Sequence, residues 1–202
     1  MQLGVTFRYK LENIINIQKI LTVDYRQLTE DYCYAAESHD FWELFYVDSS
    51  LNSINLDGND VEMKEGELVL FPPKITHAVS AKKADRPAYF LITFECNSPA
   101  LSIFRDAKFH LSTKNKKILS KLLNEVTNTF TFNTAKKRLE LIEMPATGGQ
   151  QLIHSYLEIL LISIIRHEEQ SKKTQKIFFI ERRYQQSNGK RDCLTSRRFY
   201  LQ

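Results

Sequence analysis

Between residues 14 and 96 the apolar residues fall into short runs, each closed by a turn signal, and this spacing constrains the fold more than any other feature. The runs are 14–23 (IINIQKILTV), 41–48 (FWELFYVD), 52–57 (NSINLD), 67–71 (ELVLF) and 88–96 (AYFLITFEC). Asp57-Gly58-Asn59-Asp60 stands between Ile54/Leu56 and Val61/Met63, a strong hairpin signal. Gly66 and Pro72-Pro73 punctuate the next run on both sides. Strands this short and evenly spaced, with no helices between them, predict an antiparallel sandwich or barrel rather than a parallel α/β sheet.

The period changes after residue 100. Ser112 is placed as an N-cap, and Ile118, Leu119, Leu122, Leu123 and Val126 fall on one face of the helix it opens. Gly148-Gly149 breaks the chain, and a second, far more apolar helix runs from Gln150 to Glu169. Ten large apolar or aromatic side chains lie between Leu152 and Ile165, more than one buried stripe requires. The run is shorter than the ~20 residues of a membrane span. One side is expected to meet the barrel and another a second copy of the chain, through Tyr156, Leu157, Leu160, Leu161 and Ile164. The expected division is a barrel over 1–100, a helical dimerisation segment over 101–169, and a basic tail over 170–202.

Charge is divided the same way. The net +4 arises because residues 171–202 hold nine Lys and Arg against Glu181 and Asp192, while residues 1–170 are mildly acidic. A basic tail can meet phosphates, but its plain reading is a solvated end. The three cysteines, Cys33, Cys96 and Cys193, are far apart and odd in number, so neither a disulfide framework nor a cysteine-rich zinc site is indicated. Charged residues scattered through the first thirty positions give no signal-peptide pattern, and the expected location is the cytoplasm.

The informative chemistry lies between positions 37 and 77. Glu37, His39, Phe41, Glu43 and Phe45 are separated by even numbers, so on one strand they face one way; Trp42, Leu44 and Tyr46 face the other. Carboxylates and an imidazole aimed into a barrel are costly unless they meet a ligand, a metal or one another. His77 follows Gly66…Pro72-Pro73 closely enough to return to the same cavity. Three readings stand side by side: contact with an organic ligand, metal ligation by Glu37, His39, Glu43 and His77, and structural hydrogen bonding. Phe41, Trp42, Phe45, Tyr46 and Phe94 are aromatic residues available to line a pocket or fill a core. No cofactor other than a divalent metal is suggested. His154 and Glu158, four apart on the second helix, are placed to pair.

These residues carry a family resemblance. Glu37-x-His39-x-x-x-Glu43 resembles the first cupin motif, with Glu37 where a histidine usually sits, and Gly66-x5-Pro72-x-Lys74-x-x-His77 resembles the second, with Lys74 in the place of a glycine. HDFWELFYVDSS, INLDGNDVEMKEGELVLFPPKITH, YFLITFECNSPAL and GGQQLIHSYLEILLISIIR together resemble the amino-terminal domain of AraC-type transcription regulators, over about residues 10–169. The resemblance implies a mainly β fold: a cupin-like antiparallel β-barrel (double-stranded β-helix) followed by α-helices. It further implies a barrel that senses a small molecule, sugars being the family's best-known effectors, and helices that pair two copies. DNA is contacted by a separate helix-turn-helix domain, for which the residues after 170 offer no match. The alternative is a metal-dependent cupin enzyme of isomerase or dioxygenase type, which requires a full ligand set and an open coordination position. A third reading is a standalone partner that pairs with full-length regulators and blocks them.

Overall fold

The computed structural model describes residues 8–27, 32–33, 35–49, 53–81, 87–105, 107–133 and 138–171. The basic tail therefore lies almost wholly outside the described residues. Eleven strands are defined among them: β1 (Ile17–Gln27), β2 (Tyr32–Cys33), β3 (Trp42–Ser49), β4 (Ser53–Leu56), β5 (Asn59–Glu62), β6 (Glu67–Phe71), β7 (His77–Ala81), β8 (Ala88–Cys96), β9 (Lys108–His110), β10 (Phe130–Asn133) and β11 (Arg138–Leu141). Helix α1 spans Thr113–Thr127, and helix α2 spans residues 149–171. No helix among the described residues is long and apolar enough to cross a membrane.

The strands form two antiparallel sheets, ordered β1-β8-β3-β6-β9 and β2-β7-β4-β5, with β10-β11 as a separate hairpin. This is the mainly β, cupin-like architecture expected, and α1 and α2 follow it in the chain. The inner faces meet in one core of Phe45, Val47, Ile54, Met63, Val69, Phe71, Val79 and Tyr89. The alternate residues of β3, β6 and β8 (Leu44, Leu68, Leu70, Phe90, Ile92 and Phe94) are just as deeply buried, so the larger sheet is covered on both faces. That explains why these strands read as nearly continuous apolar runs.

Local chemistry accounts for the turns. Leu56 pairs with Asn59, so the hairpin loop is Asp57-Gly58, both with positive φ (46° and 85°), as a two-residue primed turn requires. Asn55 accepts from the Gly58 amide (3.0 Å) and donates to Asp60 (2.7 Å), which holds the turn from its flank. Ser112 caps α1 by accepting from the Asn115 amide at 3.2 Å, worth about 1 kcal/mol.

The structure corrects two expectations and extends a third. The division at residue 100 does not hold, because β9 pairs with β6 as a fifth strand of the larger sheet, and β10-β11 interrupts the segment read as helical. His154 and Glu158 do approach each other (3.4 Å), but they also grip the start of β1: the His154 ring donates to the Ile17 carbonyl (3.0 Å), and Glu158 accepts from the Ile17 amide (3.2 Å). β1 is an edge strand, and this clamp satisfies backbone groups that an edge leaves open. Finally, Leu157, Leu160 and Leu161 are fully buried within the chain, and Ile164 is buried too, so these four are not the dimer surface they were expected to be. Of that set Tyr156 stays half-buried, while Leu152 and Ile159 are exposed. The chain divides into two compact units, Met1–Ile162 and Ser163–Gln202.

Lys74 departs from the motif glycine yet adopts the left-handed conformation (φ 69°) that a glycine would take without strain. Gly66 (φ 82°) occupies the same kind of position, and a Cβ there would come within 2.8 Å of Lys116 Nζ and 2.9 Å of His110 Cε1. Denaturant titration should show Gly66→Ala destabilised by about 1–3 kcal/mol. Lys74→Gly should be neutral or more stable by up to about 1 kcal/mol, strain relief slightly exceeding the entropy glycine loses. A neutral Gly66→Ala, or a Lys74→Gly that costs stability, would contradict these assignments.

Candidate functional site

One cavity of about 270 Å³ opens between the sheets, and Glu37, His39, Phe41, Glu43 and His77 all line it. The expected convergence is therefore present, but strand parity is not its cause. β3 begins at Trp42, so of Glu37, His39, Phe41 and Glu43 only Glu43 is presented by a strand, while His77 opens β7. Glu43 lies opposite Thr93 of β8 on one side and Phe71 of β6 on the other. Glu37 and His39 come from the segment leading into β3, which is stitched to the chain around β7. Glu37 and His77 exchange both backbone hydrogen bonds at 2.9 Å, and the Lys74 amide donates to the His39 carbonyl at 2.6 Å.

The imidazoles are aimed by their own neighbours. His39 Nδ1 lies 2.9 Å from the Phe41 carbonyl, and His77 Nδ1 lies 3.1 Å from the Ile75 carbonyl. A carbonyl can only accept, so Nδ1 carries the proton in both rings and each Nε2 points inward. Stacking fixes the planes: His39 on Phe41 (centroids 3.9 Å apart) and His77 on Phe71 (4.3 Å).

His39 Nε2 stands 3.3 Å from Glu43 Oε2. His77 Nε2 stands 3.8 Å from Glu43 Oε2 and 3.8 Å from Glu37 Oε1. The last two are ion-pair distances, too long for hydrogen bonds, and His77 Nε2 is buried without a hydrogen-bond partner. One donor atom from each of the four residues lies within 4.8 Å of the other three. With both rings neutral, four lone-pair donors would face one another, an arrangement relieved by a proton shared between an imidazole and a carboxylate or by other positive charge.

Titration follows that demand. Burial pushes the Glu43 carboxyl up, but the hydrogen bond to His39 and the two adjacent imidazoles outweigh it, so Glu43 sits below its ordinary value. Burial pushes His77 down, but Glu43, the Ile75 carbonyl and Glu37 outweigh it, so His77 sits above its ordinary value.

Other wall residues had no sequence signal. Thr93 is buried, and its hydroxyl has no hydrogen-bond partner. On β1, Thr22, Asp24 and Arg26 form a polar edge to the cavity, with Asp24 and Arg26 paired to each other. Their alternation in LTVDYRQ is the trace the sequence holds, legible only once β1 is known to lie beside β8. Trp42, Tyr46 and Phe94 do not line this cavity; Trp42 instead donates to the Cys96 carbonyl at 3.0 Å.

Residues 25–114 match the family model of the AraC-like ligand binding domain, in agreement with the resemblance read from the sequence. That span holds all four clustered residues. Among solved structures the chain is similar to a cupin protein from Bacteroides fragilis (21% identity, 41% of this chain and 70% of that one, TM-score 0.36). It is likewise similar to an RmlC-like cupin from Shewanella frigidimarina NCIMB 400 (17% identity, 37% of this chain and 65% of that one, TM-score 0.33). No curated protein matches the chain.

The shifts set a sign for pH dependence. A raised His77 stabilises the fold fully below the ordinary histidine value and loses that contribution as pH rises through its folded value. A lowered Glu43 stabilises above the ordinary carboxyl value and loses it as pH falls through its folded value. In chelator, the unfolding free-energy difference between the native chain and His77→Asn should therefore be largest in mild acid and shrink toward alkaline pH. A difference that grows with pH would reverse the assignment.

Proposed function

We propose that this chain, in which residues 25–114 match the AraC-like ligand binding domain, is the effector-sensing and dimerising part of a bacterial transcription regulator. It works in the cytoplasm without catalysis and leaves DNA contact to a helix-turn-helix domain of the regulator it serves. One observation carries this reading: the cavity between the sheets retains two buried polar atoms in its wall, His77 Nε2 and Thr93 Oγ1, with no hydrogen-bond partner. Folded proteins satisfy such groups, and an unsatisfied pair in a cavity wall marks where a ligand completes the bonding. The apolar half of the wall, Phe41, Phe45, Val79 and Leu91, suits the carbon skeleton of a small metabolite, a sugar or another.

A thermal-shift screen with sugars and small metabolites tests it. A hit should lose its shift in Thr93→Val, since a ligand group left without its buried partner costs about 1–3 kcal/mol. A compound that shifts native chain and variant equally binds elsewhere. The enzyme reading is favoured by the same four-residue cluster; it predicts turnover of a bound compound, whereas the sensor returns its effector unchanged.

The dimer surface is placed on the outward stripe of α2. Leu152 (40% exposed) and Ile159 (48% exposed), with half-buried Tyr156 between them, are spaced to share one helical face. Light scattering at micromolar concentration should show a dimer that Ile159→Glu converts to a folded monomer. Leu157→Glu should unfold the chain, because a charge at that position has no water and no partner. A monomer from the outset, or a dimer indifferent to Ile159→Glu, would remove the stripe from consideration.

A further inference from the structure

We infer that the cavity between the sheets takes a small molecule bearing a primary ammonium group, with its nitrogen seated among Glu37, His39, Glu43 and His77 and its carbon body against the apolar wall. The inference rests on reading this cavity as the effector site and names the chemical class of that effector. It does not rest on the regulator role.

Three observations bear on it. The first is an imbalance of hydrogen-bonding type. In each histidine a backbone carbonyl takes the Nδ1 proton (Phe41 for His39, Ile75 for His77), so in the neutral ring the inward Nε2 accepts. The Glu37 and Glu43 carboxylates only accept. Among the described residues Arg26 is the one lysine or arginine in the cavity wall, and it is paired with Asp24. This end of the cavity is therefore rich in acceptors and negative charge, and its ligand has to bring N–H bonds and positive charge. The second is spacing. The four acceptor atoms lie within 4.8 Å of one another. Acceptors about 2.9 Å from one nitrogen, along the tetrahedral directions of its bonds, stand about 4.7 Å apart. One nitrogen thus reaches the whole set. The third is the buried His77 Nε2, which has no hydrogen-bond partner on a side chain only 2% exposed. An N–H from the ligand removes that deficit.

Other head groups match less well. A hydroxyl donates one hydrogen and adds two lone pairs where acceptors are already in excess. A carboxylate or phosphate meets two like charges. A quaternary ammonium brings charge but no N–H. A primary ammonium brings three N–H bonds and the charge on one atom, and it takes the place of the proton that His39 and Glu43 share across 3.3 Å in its absence. The rest of the wall fits a short body. Phe41, Phe45, Val79 and Leu91 face its carbon atoms. Thr93, paired with Glu43 across β3 and β8, keeps a buried hydroxyl for a second polar group near the nitrogen. The cavity volume of about 270 Å³ limits the whole to a small metabolite, since drug-sized ligands occupy roughly 300–1,000 Å³.

The test titrates the full chain at neutral pH with matched pairs: methylammonium against methanol, benzylamine against benzyl alcohol, and glucosamine against glucose. Benzylamine and glucosamine should raise the unfolding temperature with dose, and their hydroxyl counterparts at equal concentration should not. Methylammonium should move the ¹⁵N resonances of Nε2 in His39 and His77, whereas tetramethylammonium should leave them in place. Glu37→Gln, at a side chain 41% exposed, should fold normally and weaken the amines by on the order of 10-fold, the worth of one hydrogen bond to a charged group. Glu62→Gln, which removes an exposed carboxylate from β5 outside the cavity, should change nothing. Chelator should leave the amine affinities unaltered. No response to any of the three amines, equal responses to amine and alcohol, full affinity in Glu37→Gln, or an ion removable by chelator that excludes the amines would overturn the inference. Glucose binding without glucosamine would refute the ammonium site and leave the effector cavity standing, whereas a chain that binds neither amines nor neutral metabolites would lose both.

Discussion

β3 is buried on both faces, and the rest of the molecule is arranged around that condition. It lies in the middle of the larger sheet, hydrogen-bonded to β8 on one side and β6 on the other, so its backbone has no freedom to move. Phe45 and Val47 enter the core between the sheets, while Leu44 and Tyr46 enter a second core on the outer face. A carboxylate planted on such a strand cannot reach solvent by shifting the backbone. Glu43 stays charged in the wall because cationic or proton-sharing imidazoles come to it, and the surrounding loop and turn are built to deliver them.

Delivery is a matter of backbone hydrogen bonds rather than side-chain pattern. The Glu37–His77 pair and the Lys74–His39 bond join two segments that are distant in sequence, and each bond ends on a residue that faces the cavity or on its immediate support. Lys74 tolerates a left-handed conformation because its amide is needed at that place. Stacking of His39 on Phe41 and of His77 on Phe71 then removes the last rotational freedom of the rings. Two imidazoles held in fixed planes keep little ordering entropy to lose on contact with a bound molecule.

β1 is the element common to the cavity and to α2. Its first residue, Ile17, is gripped through both backbone groups by His154 and Glu158, and five residues on it reaches Thr22 at the cavity edge. The Ile17–Cys96 pairing begins a ladder with β8 whose register shifts twice before Thr22 meets Thr93. Irregular pairing of this kind concentrates between the clamp and the cavity, where an edge strand can adjust without disturbing the central strands.

The sequence by itself determined the class of fold. Asp57-Gly58 predicts its hairpin because only certain residues accept two successive positive φ angles, and the short apolar runs predict buried strands because period and length are local properties. It also singled out Glu37, His39, Glu43 and His77 as residues with a common destination. Tertiary structure alone decided how they arrive there. Parity placed Glu37 and His39 on a strand that in fact starts at Trp42, and long-range backbone pairing to His77 and Lys74 brings them in instead. Thr93, Thr22 and Arg26 join the cavity only through the β1-β8-β3 register, which links residues some seventy positions apart and leaves no local mark. The same holds for α2. Its composition announced an excess of apolar surface, but which leucines face the chain's own core depends on where the barrel presents its uncovered side. Leu157, Leu160 and Leu161 went inward, Leu152 and Ile159 outward, because hydrophobic burial selects a face only when there is something to bury it against.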